Sequence, residues 1–164
     1  MLFCISIFKL PLELQMANTI NIKNKKAWHD YEIIEKFIAG MQLKGTEIKS
    51  IRLGKASLVD SYCAFTEGEL YVKNLQIQEY NWGTHYNHIP GRDRKLLLNK
   101  RELKRLSKNV KERGYTIITL RLFISENGYA KLEIALARGK KEYDKREDLK
   151  KKDTQRQLER LTRY

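Results

Sequence analysis

Two apolar runs joined by Asn127-Gly128 restrict the fold of this chain more than any other feature of its sequence. Residues 115–124, YTIITLRLFI, are rich in isoleucine, threonine and aromatic side chains, which favour extended backbone. Residues 129–138 have the same apolar character, and Asn-Gly between two such runs is typical of a β-hairpin. The chain is therefore predicted to contain at least one pair of long antiparallel strands.

Shorter segments predict more strands of the same kind. A hairpin turn is expected at Thr66-Glu67-Gly68-Glu69, between strands at 56–65 and 70–77. The alternating residues that begin at Tyr31 predict another strand, although apolar side chains occupy both of its faces. Residues 78–94 are expected to form a long loop, because turn residues and aromatic residues replace the alternating pattern there.

Two segments predict helices. Residues 46–52 have apolar side chains on one face and Thr46 as a candidate N-terminal cap. A stronger signal begins at Asn99, because Glu102 follows three residues later with the spacing of a capping box. Leucine and valine then recur on one face until Gly114, while lysine and arginine occupy the other face. The second helix is expected to pack through a narrow apolar stripe and to expose its cations.

Five or six antiparallel strands with a few short helices predict a mainly β fold. A small closed barrel of the oligonucleotide-binding type is the first choice, and a split sheet-and-helix domain is the alternative. A length of 164 residues suits one domain with a tail. We therefore assign 1–22 to an N-terminal extension outside the fold, 23–141 to the barrel domain and 142–164 to a basic C-terminal tail.

The two ends of the chain differ from its middle. Residues 1–15 are apolar, but they lack the basic leading segment and the cleavage site of a signal peptide. No segment approaches the roughly 20 apolar residues that cross a bilayer. The tail offers only Leu149, Leu158 and Leu161 for burial, which cannot offset ordering about twenty residues at about 1 kcal/mol each. We expect the tail to be disordered alone and helical on a partner.

Positive charge is concentrated in two segments. The net charge is +13, with ten basic and three acidic residues at 92–113 and eleven basic and six acidic residues at 138–164. The rest of the chain sums to +1. Two such clusters are typical of a protein that binds phosphates, although two solvated surface helices would carry the same charge. A polyanionic partner in the cytoplasm, and no membrane, is the first interpretation.

The residues that support catalysis or metal binding are scarce. There is no glycine-rich phosphate loop and no serine nucleophile elbow. Two cysteines exclude a disulfide scaffold and a cysteine-rich zinc cluster. His85 and His88 lie three residues apart without nearby acidic or thiol ligands. We therefore expect no enzyme activity, no metal site and no cofactor.

Two clusters combine cations with groups that contact nucleic-acid bases. The first contains Lys25, Lys26, Trp28 and His29, because lysines bind phosphates and flat rings stack on unpaired bases. Alternatively, Trp28 fills one end of the barrel. The second cluster contains Arg92, Arg94, Lys95 and Asn99. Asn99 caps the helix, contacts a base or does both, because a cap uses only the side-chain oxygen and leaves the amide N–H donors free.

Five blocks of the chain resemble, in order, the SmpB family of SsrA-binding proteins. The blocks are NKKAWHDY, AGMQLKGTEIKSIRLGKASLVDSY, GRDRKLLLNKREL, GYTIITLRLF and YAKLEIALARGKKEYDKRED, which together span about residues 24–150. The resemblance implies a six-stranded antiparallel oligonucleotide-binding-type barrel with three helices. It also implies a monomer that binds transfer-messenger RNA and delivers it to ribosomes stalled on messages without a stop codon. The implied partners are that RNA, the small ribosomal subunit and, indirectly through the charged RNA, elongation factor Tu.

The resemblance transfers individual roles to matching residues. The family's RNA contacts correspond to His29, Leu97, Asn99 and Lys131. Its contacts with the decoding centre and the mRNA channel correspond to a set in the tail. That set is Gly139, Lys140, Lys141, Tyr143, Asp144, Lys145 and Arg146.

Two positions depart from the family pattern. Ile38 stands where the family usually has a glutamate on the RNA-binding face, so that contact cannot be transferred. Tyr143 stands where the family has a histidine, and it keeps a flat ring for stacking.

Two other classes of function fit parts of the pattern. A structural ribosomal protein or a general RNA chaperone would carry the same charge, but would lack a preference for one RNA. A nucleic-acid enzyme would require clustered carboxylates or histidines, which the sequence does not supply.

Overall fold

The computed structural model describes residues 20–83 and 87–140, together with positions 154, 157, 158, 160 and 161. Within the described residues the strands are β1 (Asn21–Lys23), β2 (Tyr31–Met41), β3 (Ala56–Ser57), β4 (Tyr62–Thr66), β5 (Glu69–Lys73), β6 (Gln76–Ile77), β7 (Arg94–Leu97), β8 (Thr116–Ile124) and β9 (Ala130–Gly139). The helices are α1 (Lys25–Asp30), α2 (Gly45–Arg52) and α3 (Lys100–Arg113). None of the described helices is long and apolar enough to span a membrane.

Six strands close into an antiparallel ring. The order is β8-β4-β5-β7-β2-β9, and β9 pairs with β8 to complete the circle. The short strand β1 pairs with the second half of β8, while β4 pairs with its first half. Strands β3 and β6 form a separate two-stranded ribbon. This ring, with its three helices, confirms the predicted mainly β fold of six antiparallel strands.

Alternating side chains fill the inside of the ring. Phe37, Ala39 and Met41 of β2 are buried there, opposite leucine and isoleucine side chains of β8 and β9. A second, smaller cluster lies on the outside of the ring, where Ala27 of α1 covers β8 and β9. This cover explains why β8 and β9 are apolar on both faces, because residues such as Ala135 are buried beneath α1.

Helices α2 and α3 lie at opposite ends of the ring. Leu106 of α3 is buried in the core, and Arg105 binds Glu35 near the start of β2 at 3.0 Å. Arg52 of α2 instead donates to the carbonyl of Gly128, at the far end of the β8–β9 hairpin. The basic face of α3 therefore points away from the end that α2 occupies.

The two predicted hairpins form with different turns. Thr66 pairs with Glu69, and the intervening Glu67 and Gly68 both have positive φ, as a two-residue type I′ turn requires. The β8–β9 hairpin instead has five residues, 125–129, between its last paired positions. Gly128, at φ +77°, donates to Ser125 and closes this turn. The Asn-Gly signal therefore located the hairpin correctly.

Several predicted boundaries need correction. β1 begins at Asn21, so the last two residues assigned to the N-terminal extension belong to the sheet. The strand expected at 56–65 is divided at a turn in which Asp60 has φ 56°, and Asn74 divides the next strand in the same way. α1 and β7 were not predicted at all. The expected long loop therefore ends where β7 begins.

The cap of α2 also differs from the prediction. Lys44, not Thr46, occupies the N-terminal cap position, and its N–H donates to Glu47 at 2.7 Å. Asn99 caps α3 as predicted, with its N–H donating to Glu102 at 2.9 Å, and Gly114 ends the helix at φ +63°.

Candidate nucleic-acid interface

One row of side chains crosses the outer face of five strands. The registers place Leu97, Gly40, Lys131, Phe123 and Asn21 opposite one another on β7, β2, β9, β8 and β1. Directly paired residues in antiparallel strands share a face. The flanking residues of β7, β8 and β9 are buried inside the ring, so this row points outward. Two predicted RNA contacts, 34 residues apart in the chain, are thereby brought to one surface.

The side chain of Leu97 lies directly over Gly40. A Cβ atom at Gly40 would lie 3.4 Å from the Cβ of Leu97, in van der Waals contact with it. The Leu97 side chain therefore lies against bare backbone and remains about half exposed, at 53%. Exposed leucine on a cationic surface offers apolar contact to a base or a ribose.

A cleft of about 670 Å³ adjoins this row at the end of the ring that α2 occupies. Met41, Leu43 and Ile48 supply its apolar lining. Its cationic lining comes from Lys44, Arg52 and Lys131. An exposed aromatic, Tyr129, lies beside them. Apolar surface edged by cations suits a partly unstacked nucleic-acid loop.

Arg94 does not belong to this surface, contrary to the prediction. Its side chain is fully buried, and its Nε donates to Glu47 at 2.9 Å. Its remaining nitrogens donate to the carbonyls of Leu75, Pro90 and Arg92 at 2.6–2.9 Å. Because a buried guanidinium with all these partners cannot reach RNA, Arg94 stabilises the fold instead.

Arg92 and Lys95 are partly engaged with carboxylates. Arg92 donates to Glu47 through Nε at 2.7 Å and keeps about a quarter of its side chain exposed. Lys95 pairs with Glu69, and the hydrogen bond to this carboxylate raises the pKa of Lys95. Both cations remain at the surface, but an RNA phosphate must share them with these acids.

The cations and the histidine of α1 face solvent. Lys25, Lys26 and His29 are exposed. Lys26 binds Asp60 at 2.9 Å, and the hydrogen bond to Asp60 raises the pKa of Lys26. The His29 ring lies 2.9 Å from Asp30.

Trp28 does not fill an end of the barrel, so that alternative is wrong. Half of its surface is exposed, and Ala27 makes the buried contact of α1. The ammonium of Lys36 lies over the indole, 4.7 Å from the ring centroid. Trp28 is therefore a surface aromatic held beside a cation.

Asn99 occupies a position that permits both predicted roles. It is exposed, it lies two residues beyond Leu97, and it begins α3.

The tail leaves the ring beside α1. Gly139 ends β9, and the N–H of Lys140 donates to the carbonyl of Asp30 at 3.0 Å. The ammonium of Lys140 also donates to the carbonyl of Trp28 at 3.4 Å. Other predicted ribosome contacts lie outside the described residues: Lys141, Tyr143, Asp144, Lys145 and Arg146. The described tail positions, which include Leu158 and Leu161, are helical.

The described residues contain no group of three or more histidine, cysteine or acidic side chains that could hold a metal. His88 is buried and bonded to Thr46 and to the carbonyl of Ile77, while His85 lies outside the described residues. Cys63 is buried in the ring, and that burial raises the pKa of its thiol, which disfavours the nucleophilic thiolate. His88 and Cys63 therefore have structural environments.

The sequence did not identify several residues of this surface. Strand pairing places Gly40 opposite Leu97 and Phe123 opposite Lys131. Arg52 reaches the same surface through its hydrogen bond to the β8–β9 turn. For Phe123 the available signal was alternation within β8, which the apolar cover of α1 obscures.

The chain is similar to SsrA-binding proteins along nearly its whole length. A family model described as SmpB protein matches residues 21–164. The SsrA-binding protein of Phocaeicola vulgatus is 61% identical over 142 residues, covering 87% of this chain and 95% of that protein. The SsrA-binding protein of Cytophaga hutchinsonii is 56% identical over 147 residues, covering 90% and 96%. A solved structure described as "tmRNA-SmpB: a journey to the center of the bacterial ribosome" matches with a TM-score of 0.63 and 48% identity, covering 75% of this chain and 86% of that one.

Proposed function

Because this chain belongs to the SmpB family, we propose that it is an SsrA-binding protein that binds transfer-messenger RNA and delivers it to stalled ribosomes for trans-translation. The outer row from Leu97 to Asn21, together with the cation-edged cleft beside it, is the observation that carries this function. The row is built on paired strands, and the cleft lies between those strands, α2 and the β8–β9 turn, so together they form a platform for a folded RNA.

Within this function, the RNA-binding residues divide into two groups. Leu97, Asn99 and Lys131 lie on or beside the outer row, where apolar, amide and cationic groups contact bases and phosphates. The second group consists of other surface residues, namely the cations Lys25, Lys26, Arg92 and Lys95 and the imidazole ring of His29. Arg94 is left out because it is buried.

The tail supplies the contacts with the small ribosomal subunit. Gly139 and Lys140 fix where it starts, and residues 141–146 reach the decoding centre and the mRNA channel. The protein acts as a monomer in the cytoplasm, without a cofactor and without catalysis of its own. Elongation factor Tu joins the assembly through the charged RNA.

The test is to sequence the RNA that co-purifies with the protein from cells. Enrichment of transfer-messenger RNA above all other RNA is expected. A Lys131→Gln variant should lose part of this enrichment, whereas Lys104→Gln, which removes the same charge from α3, should not. Stoichiometric recovery of one ribosomal subunit with no preferred RNA would instead favour a structural ribosomal protein.

A further inference from the structure

A second recess lies on the outer face, beside the row that contains Lys131. It has a volume of about 400 Å³ and is called here the Trp28 groove. Its lining comes from β1, α1, β2, β8 and β9 and consists of Lys23, Trp28, Lys36, Leu120, Arg121 and Glu133. The sequence analysis named Trp28 as a candidate for base stacking, and the other five residues are not among the RNA contacts assigned above.

The groove carries an excess of positive charge. Arg121 pairs with Glu133 and stacks on Phe123, with its guanidinium carbon 4.7 Å from the ring centroid. Among the described residues, neither Lys23 nor Lys36 has an acidic partner within 4.0 Å. Two unpaired ammonium groups therefore line the groove together with one neutralised pair, and an anion can bind to them without displacing a carboxylate.

Trp28 supplies a flat apolar surface at the same place. Its ring is half exposed, and Lys36 lies over it at 4.7 Å. This contact holds the ammonium at a fixed position next to the exposed part of the indole. A phosphate bound by Lys36 would therefore place its own nucleoside against the ring.

The groove continues the surface proposed for RNA. The registers align Lys23, Arg121, Glu133 and Ile38 across β1, β8, β9 and β2. This row is two residues along β9 from the row of Lys131, a separation of about 7 Å. An RNA strand seated at Lys131 reaches the groove within a few nucleotides.

We propose that the Trp28 groove binds a single-stranded segment of the RNA, with a phosphate held by Lys36 and Lys23 and a base or ribose packed on Trp28. The proposal rests on the proposed function, since the RNA that occupies the groove is the one held at Lys131. It adds Trp28, Lys23 and Lys36 to the RNA-binding residues assigned above.

Fluorescence can report on the groove directly, because the chain contains two tryptophans. The other one, Trp82, is 82% exposed in a loop, so Trp82→Phe should leave the fold intact and make Trp28 the sole tryptophan. The probe is the tRNA-like domain of transfer-messenger RNA, added to the full-length Trp82→Phe protein. Filter binding measures complex formation in parallel.

The expected result is a change in Trp28 fluorescence that saturates with complex formation, and at least a twofold fall in its quenching by acrylamide. If the RNA binds while the emission and the acrylamide quenching of Trp28 stay unchanged, the groove is empty in the complex and the inference is wrong. If filter binding detects no complex, the proposed function fails together with the inference. The two failures are therefore distinguishable.

Matched charge variants test the cation. Lys36→Gln should lower the affinity severalfold and make the salt dependence of log K shallower by about one. Lys104→Gln removes an equally exposed lysine from α3 and should change neither quantity. Trp28→Ala should lower the affinity about tenfold. Equal losses from the two lysine variants would show that only net charge matters and would overturn the assignment.

Discussion

Replacing Glu47 by glutamine should destabilise the fold strongly, although the two side chains have nearly the same shape. Its carboxylate is fully buried and accepts hydrogen bonds from Arg92, Arg94 and the N–H of Lys44 at 2.5–2.9 Å. Arg94 in turn binds three carbonyls that fix the start of β7. A single side chain therefore neutralises a buried cation and holds the strand that carries Leu97.

Glu47→Gln should cost about 3–5 kcal/mol of the free energy of unfolding. The amide keeps the size of the carboxyl group but removes its charge, which leaves Arg94 buried without a counter-ion. Breaking one partner of a buried pair typically costs this amount, which is a large share of the roughly 5–15 kcal/mol that stabilises a domain. Urea unfolding at pH 7 measures the difference.

The same substitution at Glu112 is the control. Glu112 pairs with Lys108 at 4.0 Å on the exposed face of α3, where such pairs contribute about 0.5 kcal/mol or less. Glu112→Gln should therefore leave the free energy of unfolding nearly unchanged. If Glu47→Gln costs less than about 1 kcal/mol, or no more than the control, the central role assigned to this carboxylate is refuted.

The pH dependence gives an independent check. Burial raises the pKa of Glu47, but hydrogen bonds from Arg92 and the Lys44 amide, with the charge of Arg94, outweigh it and hold the pKa below its usual value. The stabilisation is therefore complete above the unfolded pKa, near 4.3, and is lost as the pH falls through the folded pKa. The difference between the native protein and Glu47→Gln should shrink below about pH 4, because protonation removes the same charge.

Three further predictions concern RNA and the tail. Log K for transfer-messenger RNA should fall against log salt with a slope on the order of −3 to −5, as expected for about four to six neutralised phosphates, and a slope near zero would contradict an electrostatic interface. Asn99→Ala should weaken RNA binding by roughly 1–3 kcal/mol and lower the free energy of unfolding by about 1 kcal/mol. Asn99→Asp should keep the cap but still weaken RNA binding, so normal RNA binding by Asn99→Asp would show that Asn99 only caps the helix. Truncation after Lys141 should leave the RNA affinity within about threefold of the full-length value but abolish tagging of stalled products, so a truncated protein that tags normally would exclude the role given to the tail. The isolated tail peptide should show mostly coil by circular dichroism.

The elements that the sequence predicted correctly depend on local signals. The turn at Glu67-Gly68, the capping residues Asn99 and Glu102, and the long β8–β9 hairpin are each encoded within a few neighbouring residues. β7 was missed because its four residues, RKLL, are half charged and too few to show an alternating pattern. Its strand character comes from pairing with β2 and β5, which are distant in sequence.

Residue types in the sequence suggested candidates for the site, but they could not show which of these side chains are exposed. Arg92 and Arg94 lie two residues apart in a basic segment, and both were predicted to contact RNA. Alternation in β7 turns Arg94 into the ring toward Glu47, while Lys95 and Leu97 face outward. Charge alone cannot distinguish the buried arginine from the exposed cations, because the burial of Arg94 depends on the carboxylate of Glu47, which lies 47 residues earlier in the chain.

The anchoring of the tail on α1 links the two proposed activities of the molecule. Lys140 is hydrogen-bonded through its backbone to Asp30 and through its ammonium to Trp28, so the tail begins within one helix of the groove proposed for RNA. A flexible connection at this point would allow the tail to point in any direction from the bound RNA. Because β9 and α1 instead fix its first residue, an RNA held on the outer face also fixes where the tail starts. The folded ring then sets the distance between the bound RNA and Lys140, where the tail starts, and the path of the tail beyond Lys140 is determined on the ribosome.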